Sequence, residues 1–240
     1  MRAFTHSRAL SQQGNVTAMK LKVGGCKLGK LSFGAVMLAF LPLEAAAQPD
    51  LVIDGTRARY SIEFNRRTFS AQHCAYQEGC VWNFGTRKLL RLDVGVRNVG
   101  DSDLVIGDPD ERTDIFTWSD CHDHYHLRGL ATYRITTRDG RQVAKTYKQG
   151  FCLRDVHRAW GDAGPEQYTC DYQGISVGWQ DTYDKSLDCQ WIDISHVPPG
   201  KYNLEITVNP SRIFEETNYK NNRVIIPIKV PLKRYFRYYY

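Results

Sequence analysis

The chain has 240 residues with ordinary hydrophobic and charged fractions, 42% and 24%, enough for one sizeable globular domain. Its formal net charge of +6 gathers at the start, where Arg2, Arg8, Lys20, Lys22, Lys27 and Lys30 stand against Glu44 alone, so the remainder is close to neutral. A phosphate-binding surface needs a basic face, and this balance argues against nucleic acid as a partner.

In chain order, the first element is a leader. Lys20, Lys22, Lys27 and Lys30 precede an apolar run from Leu31 to Leu43, and Ala45-Ala46-Ala47 supplies a small-residue cleavage site, the layout of a secretory signal. The run is too short to span a bilayer comfortably, so no membrane span is expected after cleavage. Residues 1–18 show no leader logic, and Met19 is a plausible true start. The sequence therefore divides into a signal peptide, 1–47, and a single domain, 48–240, destined for a periplasm or the cell exterior. Cys26 leaves with the leader. Cys74, Cys80, Cys121, Cys152, Cys170 and Cys189 remain, an even set that suggests three disulfides in an exported protein but leaves their pairing open.

The domain reads as mainly β. Leu90, Leu92, Val94 and Val96 alternate with Arg91, Asp93 and Arg97. Ala131, Tyr133 and Ile135 repeat the period, as do Tyr202, Leu204, Ile206 and Val208 against Lys201, Asn203, Glu205 and Thr207. Period two marks half-buried strands, and Asn98-Val99-Gly100, Asp139-Gly140 and Pro198-Pro199-Gly200 are turn signals between them. No window supports an amphipathic helix beyond about two turns, so a β-sandwich core is expected. The irregular segments 98–120 and 152–188 are expected to be long loops carrying the active site. The basic, aromatic tail from Lys229 to Tyr240 reads as a solvated or packed end.

The densest chemistry lies in Cys121-His122-Asp123-His124-Tyr125-His126. Histidines at spacing two project from one face of an extended strand, with Cα atoms roughly 7 Å apart at each step, so three imidazoles can meet on one ion. Imidazole suits copper, zinc, iron and nickel alike, and three protein ligands leave positions open for water, dioxygen or substrate. A zinc hydrolase is a fair competitor; it needs a general base, for which Asp120 and Asp123 are available.

These residues then become recognisable. The run Trp118 to His126 resembles the copper-binding segment of the lysyl oxidase family. Lys148-Gln149-Gly150-Phe151-Cys152-Leu153-Arg154-Asp155 is similar to that family's quinone-lysine segment. Gly178-Trp179-Gln180-Asp181-Thr182-Tyr183, followed by Asp188 to Ile194, is similar to its quinone-tyrosine segment. Pro199-Gly200-Lys201-Tyr202 and Val208-Asn209-Pro210-Ser211 continue the match, which covers roughly 49–230 and the catalytic domain.

The resemblance implies copper on His122, His124 and His126, and a lysine tyrosylquinone cofactor made from Lys148 and Tyr183. The implied activity is oxidation of primary amines, peptidyl lysine among them, by dioxygen, giving aldehyde, ammonia and hydrogen peroxide. Asp181, two residues before Tyr183, is a candidate proton acceptor; taken alone it reads as a turn or loop-capping carboxylate. The resemblance also implies disulfides Cys74–Cys80 and Cys121–Cys170. The family partners of Cys152 and Cys189 fall at Arg158 and Trp179, so the two surviving cysteines are expected to join each other. Glu215 to Asn222 resembles a calcium loop, with Asp50, the Leu51 carbonyl, Glu216, Asn218, Asn221 and Asn222 as implied ligands; oxygen donors suit that ion. The rival from another class is a secreted copper-binding or adhesion module without redox catalysis, which has no need of the Lys148/Tyr183 pair.

Overall fold

In the computed structural model, residues 46–146 and 150–238 are described. The proposed leader therefore lies almost wholly outside the described residues, as does Lys148. Among the described residues, no helix is long and apolar enough to cross a membrane.

The elements are short and mostly strands. They begin with β1 (Leu51–Ile53), α1 (Gly55–Ser61), β2 (Glu63–Phe69), α2 (Cys74–Gln77), β3 (Gly85–Arg91), β4 (Val94–Asn98) and β5 (Leu104–Gly107). The middle holds β6 (Phe116–Ser119), β7 (His124–Leu127), β8 (Ala131–Thr136), β9 (Gln142–Lys145), β10 (His157–Arg158) and β11 (Gln173–Ile175). The end holds β12 (Trp179–Tyr183), β13 (Trp191–Asp193), β14 (Gly200–Val208), β15 (Arg223–Val230) and β16 (Arg237–Tyr238). The expected loops 98–120 and 152–188 are thus broken by β5, β6, β10, β11 and β12. Short strands arise there because loop backbone that is packed must still find hydrogen-bond partners.

Three four-stranded sheets carry the architecture, ordered β1-β4-β12-β10, β13-β3-β2-β16 and β15-β14-β8-β9. The first two meet where β3 runs into β4 through Leu92-Asp93. There the ladder breaks, because the Asp93 amide donates to the Ser61 hydroxyl oxygen at 2.8 Å and its carboxylate accepts the Lys185 amide at 2.9 Å. Leu90, Leu92, Val94 and Val96 turn into one core with Tyr133, Ile135, Leu204 and Ile206 of the third sheet, the shared interior that period two predicts. Each such buried aliphatic contributes roughly 1.5–3 kcal/mol of transfer free energy.

The other face of β3 departs from expectation. Leu89 joins Phe69, Ala75, Val81 and Trp191 in a second, smaller core. Arg91 is buried there rather than solvated: its guanidinium lies 4.9 Å from the Trp191 ring centre and donates to the Leu187 carbonyl at 3.0 Å. The C-terminal tail is packed, with β16 parallel to β2 and Phe236 edge-on to Phe64 at 5.8 Å.

All six cysteines of the domain are paired, but not as expected. The bridges are Cys74–Cys121, Cys80–Cys189 and Cys152–Cys170, with Cα separations of 5.7, 5.3 and 5.3 Å. They replace Cys74–Cys80, Cys121–Cys170 and Cys152–Cys189. The cause is the path of the chain around α2. After its single turn, Gly79 takes a left-handed conformation (φ 74°), a position suited to glycine, and the Cys80 amide bonds back to the Ala75 carbonyl at 2.8 Å. Cys80 thereby enters the second core beside Cys189, while Cys74 meets the histidine hairpin. Arg158 and Trp179, the positions where family cysteines were expected, are cross-strand neighbours, and the guanidinium sits 5.6 Å from the indole.

Candidate active site

The histidines sit on the hairpin β6–β7, whose register runs from Phe116↔Leu127 to Ser119↔His124. The connection, Asp120 to Asp123, is tight: the Ser119 carbonyl accepts the amides of His122 and Asp123 at 3.2 and 2.8 Å. Asp123 takes a left-handed φ of 55°, which Asp tolerates better than most residues. Only His124 and His126 therefore share a strand face. His122 projects from the turn, which corrects the reading of three ligands in a row on one extended strand. The rings still converge, with centres 4.9 Å apart for His124–His126, 5.3 Å for His122–His126 and 5.8 Å for His122–His124.

Each ring has a distinct setting. His124 Nδ1 lies 2.8 Å from the His122 carbonyl, an acceptor that places the proton on Nδ1 and leaves Nε2 for a ligand. His126 is buried, and Gly150 packs so closely on it that a Cβ there would stand 2.4 Å from the ring. His122 Nδ1 faces Glu78, 3.2 Å from Oε2. Donor atoms of Glu78, His122 and His126 lie within 4.8 Å of one another. A cavity of about 170 Å³ opens among Glu78 and the three imidazoles, and its only other formal charge among the described lining residues is Asp188. Imidazoles beside carboxylates, with no Lys or Arg among the described lining residues, fit a divalent transition metal; the donor set suits copper and zinc equally. Asp120 and Asp123, the bases a zinc hydrolase needs, are exposed and line no part of this small cavity.

Tyr183 ends β12, buried, with its ring stacked on Phe151 at 5.3 Å and its hydroxyl donating to the Cys152 carbonyl at 3.3 Å. Burial, reinforced by the Asp181 carboxylate, pushes the phenol well above its ordinary pKa. Asp181 is not a turn residue. It lies inside β12, paired with Val96, and accepts the Arg154 amide at 3.1 Å. Burial raises its carboxyl from 3.8 to about 7, against the pull of the hydrogen bonds it accepts.

Tyr183 and Asp181 line a larger cavity of about 700 Å³ that also touches His124, Phe151 and Leu187, residues shared with the smaller one. Its wall carries Asp108, Asp110, Asp123 and Asp171 as well, and Arg154 is the one cation among its described lining residues. Gly150 and Phe151 thus connect the sites in sequence, one against His126 and the next against Tyr183. The position of Lys148, two residues earlier, lies outside the described residues. Glu78 gave no signal in the sequence beyond its place between Cys74 and Cys80.

The candidate calcium loop is also assembled, in part through direct hydrogen bonds. Glu216 accepts the Leu51 amide at 2.6 Å and the side-chain amides of Asn209 and Asn222 at 2.6 and 2.7 Å. Burial raises its carboxyl above the usual range against those donors. Asn221 donates to both Asp50 oxygens at 3.0 Å, whereas Asn218 caps the turn, accepting the Lys220 amide at 3.0 Å. The Oδ1 atoms of Asn221 and Asn222 are buried without a hydrogen-bond partner.

Taken together, the architecture and the site define a β-rich protein with a candidate metal centre of three imidazoles and a buried tyrosine in the adjoining acid-lined cavity. The lysyl oxidase family model matches residues 49–235. Human lysyl oxidase homolog 4 is 34% identical over 186 residues, 72% of this chain and 24% of that protein. The protein-lysine 6-oxidase of Gallus gallus is 35% identical over 192 residues, 75% of this chain and 45% of that protein. The chain belongs to the lysyl oxidase family, and it spans about a quarter of the first relative and under half of the second. Among solved structures, the CARDB domain of a Pyrococcus furiosus protein aligns over 77% of this chain and 90% of that one with 12% identity and a TM-score of 0.31, too slight a likeness to carry an argument.

Proposed function

We propose that this protein is an exported copper-dependent amine oxidase acting on primary amines, peptidyl lysine among them. The observation that carries the reading is the adjacency of two cavities, one walled by His122, His124 and His126, the other by Tyr183, with His124 common to both. The three histidines are the proposed copper ligands. Copper there would supply the oxidation of the Tyr183 phenol, and lysine tyrosylquinone made with Lys148 would supply the carbonyl that accepts an amine's electrons.

The remaining roles belong to the chain. Asp108, Asp110, Asp123 and Asp171 give the larger cavity a negative wall, which attracts a cationic ammonium substrate. Asp181, with a pKa pushed up to about 7, is suited to take a proton from the carbon beside the amine at neutral pH. Phe151 covers a face of the Tyr183 ring and limits the approach of water from that side. Calcium on the Asp50 and Asn221 side of the last loop is a second proposal, favoured by the two buried, unpartnered amide oxygens of Asn221 and Asn222, which a cation would satisfy. Export, to a periplasm or beyond the cell, is supported by the leader pattern and by the three disulfides, bonds that persist in oxidising compartments.

Copper-saturated protein held under oxygen is expected to yield a crosslinked Lys148–Tyr183 peptide, to stain for quinone and to release peroxide from primary amines. Tyr183→Phe is expected to abolish all three. Two unmodified peptides, with no peroxide from a panel of amines, would overturn the oxidase reading and leave the metal-binding module.

A further inference from the structure

We propose that Glu78 is the positioning residue of the metal centre. Its carboxylate faces His122 Nδ1, which would leave Nε2 as the nitrogen offered to the metal. The inference rests on the three-histidine reading of that cavity and extends it to a residue outside the histidine segment.

The argument begins with His122 itself. His124 and His126 are set by the strand they share, but His122 sits in a turn, where backbone geometry alone leaves its ring free to rotate about χ1 and χ2. Side-chain partners must therefore fix the ring and its tautomer. Glu78 is the carboxylate in place to do so: Oε2 lies 3.2 Å from His122 Nδ1, and both side chains are largely shielded from solvent. Ser119 completes the arrangement. Its hydroxyl donates to Glu78 Oε1 and stands 3.4 Å from the same His122 nitrogen. A carboxylate that accepts the Nδ1 proton keeps Nε2 unprotonated and makes it a better donor to a metal.

Glu78 is itself held firmly. Its amide bonds to the Cys74 carbonyl at 2.8 Å to close the single turn of α2. Disulfides start from Cys74, four residues before it, and Cys80, two residues after it. The first of these, Cys74–Cys121, ties α2 to the residue next to His122. The carboxylate and the imidazole are therefore clamped to each other by a covalent link beside their contact, and strand, turn and helix are assembled into one rigid site.

The test compares wild type, Glu78→Gln and Glu78→Ala in three measurements. Nitrogen chemical shifts of His122 in the metal-free protein report its tautomer. Chelator competition reports copper affinity, and the Cu(II) paramagnetic resonance spectrum reports the donor set. Wild type is expected to show the Nδ1–H tautomer. Glu78→Gln keeps an acceptor oxygen at the same reach, so it is expected to retain the tautomer, the spectrum and the affinity within about threefold. Glu78→Ala is expected to lose the tautomer preference, to bind copper on the order of 10–100-fold more weakly, and to change the spectrum.

An Nε2–H tautomer in wild type overturns the proposal. So does Glu78→Ala with unchanged affinity and spectrum. Glu78→Gln as damaging as Glu78→Ala also overturns it, since that pattern marks the carboxylate as a direct ligand. The isosteric Gln variant guards against misfolding of Ala. The tautomer readout needs no metal, so a wild type that fails to bind copper removes the copper reading and leaves the Glu78 assignment to be decided by the shifts.

Discussion

Asp181 changes meaning with its surroundings. In the chain it is one acid near a tyrosine; in the fold it is buried in β12 with a pKa of about 7. The folded state holds this proton between about 4 and 7 while the unfolded chain has released it. Its protonation therefore favours folding below about 4, and that contribution is lost as pH rises through 7. Asp181→Asn is expected to be more stable than wild type above pH 7, by on the order of 2 kcal/mol, with the gap closing toward pH 4; urea melts at several pH values measure it. The proposed amine oxidation is expected to run the other way, with kcat/KM rising through an apparent pKa near 7 in wild type and losing that limb in Asp181→Asn. Gly150 is a second residue whose role is spatial. A Cβ there would meet the His126 ring at 2.4 Å, far inside contact distance, so Gly150→Ala is expected to cost about 1–3 kcal/mol and to displace His126. Copper affinity is expected to fall by about tenfold or more, an effect that isothermal titration can read.

At the scale of the element, the hairpin β6–β7 makes the site. Its tight turn brings His122 back over the two strand histidines, and Asp123 at φ 55° is the joint. Glycine accepts that conformation freely, whereas a β-branched residue strains it by roughly 1–2 kcal/mol. Asp123→Gly is expected to bind metal nearly as wild type does, and Asp123→Val to bind it more weakly while showing a lower melting temperature. Equal binding by both would mean that the turn does not set the position of His122. Histidine spacing, and with it the convergence of three imidazoles, was legible in the sequence. The turn was not, because His-x-His-x-His has the period of a strand, and only the bonds to the Ser119 carbonyl reveal that the first histidine lies outside it.

At the scale of the molecule, three sheets share one core and three disulfides tie loops to it. Cys80–Cys189 closes the longest span, 109 residues, and Cys152–Cys170 the shortest, 18. Loop-closure entropy makes the long bridge worth about 4–5 kcal/mol and the short one about 3. The Cys80→Ser/Cys189→Ser double variant should therefore melt lower than Cys152→Ser/Cys170→Ser, and differential scanning calorimetry of the two decides the order. Equal melting temperatures would show that residual structure in the unfolded chain outweighs loop length.

What the sequence determined by itself is what local chemistry determines: period-two strands such as Tyr202 to Val208, the turn at Asp139-Gly140, the clustering of three histidines, and the motifs that carry the family. The tertiary structure alone decided which cysteines meet, that Arg91 is buried on Trp191, that burial pushes the Asp181 carboxyl up, and that Glu78 reaches His122 across more than forty residues of chain. Residue type and spacing encode backbone conformation and donor chemistry directly. Desolvation and long-range contact depend on which segments the fold packs together, and no single segment carries that information.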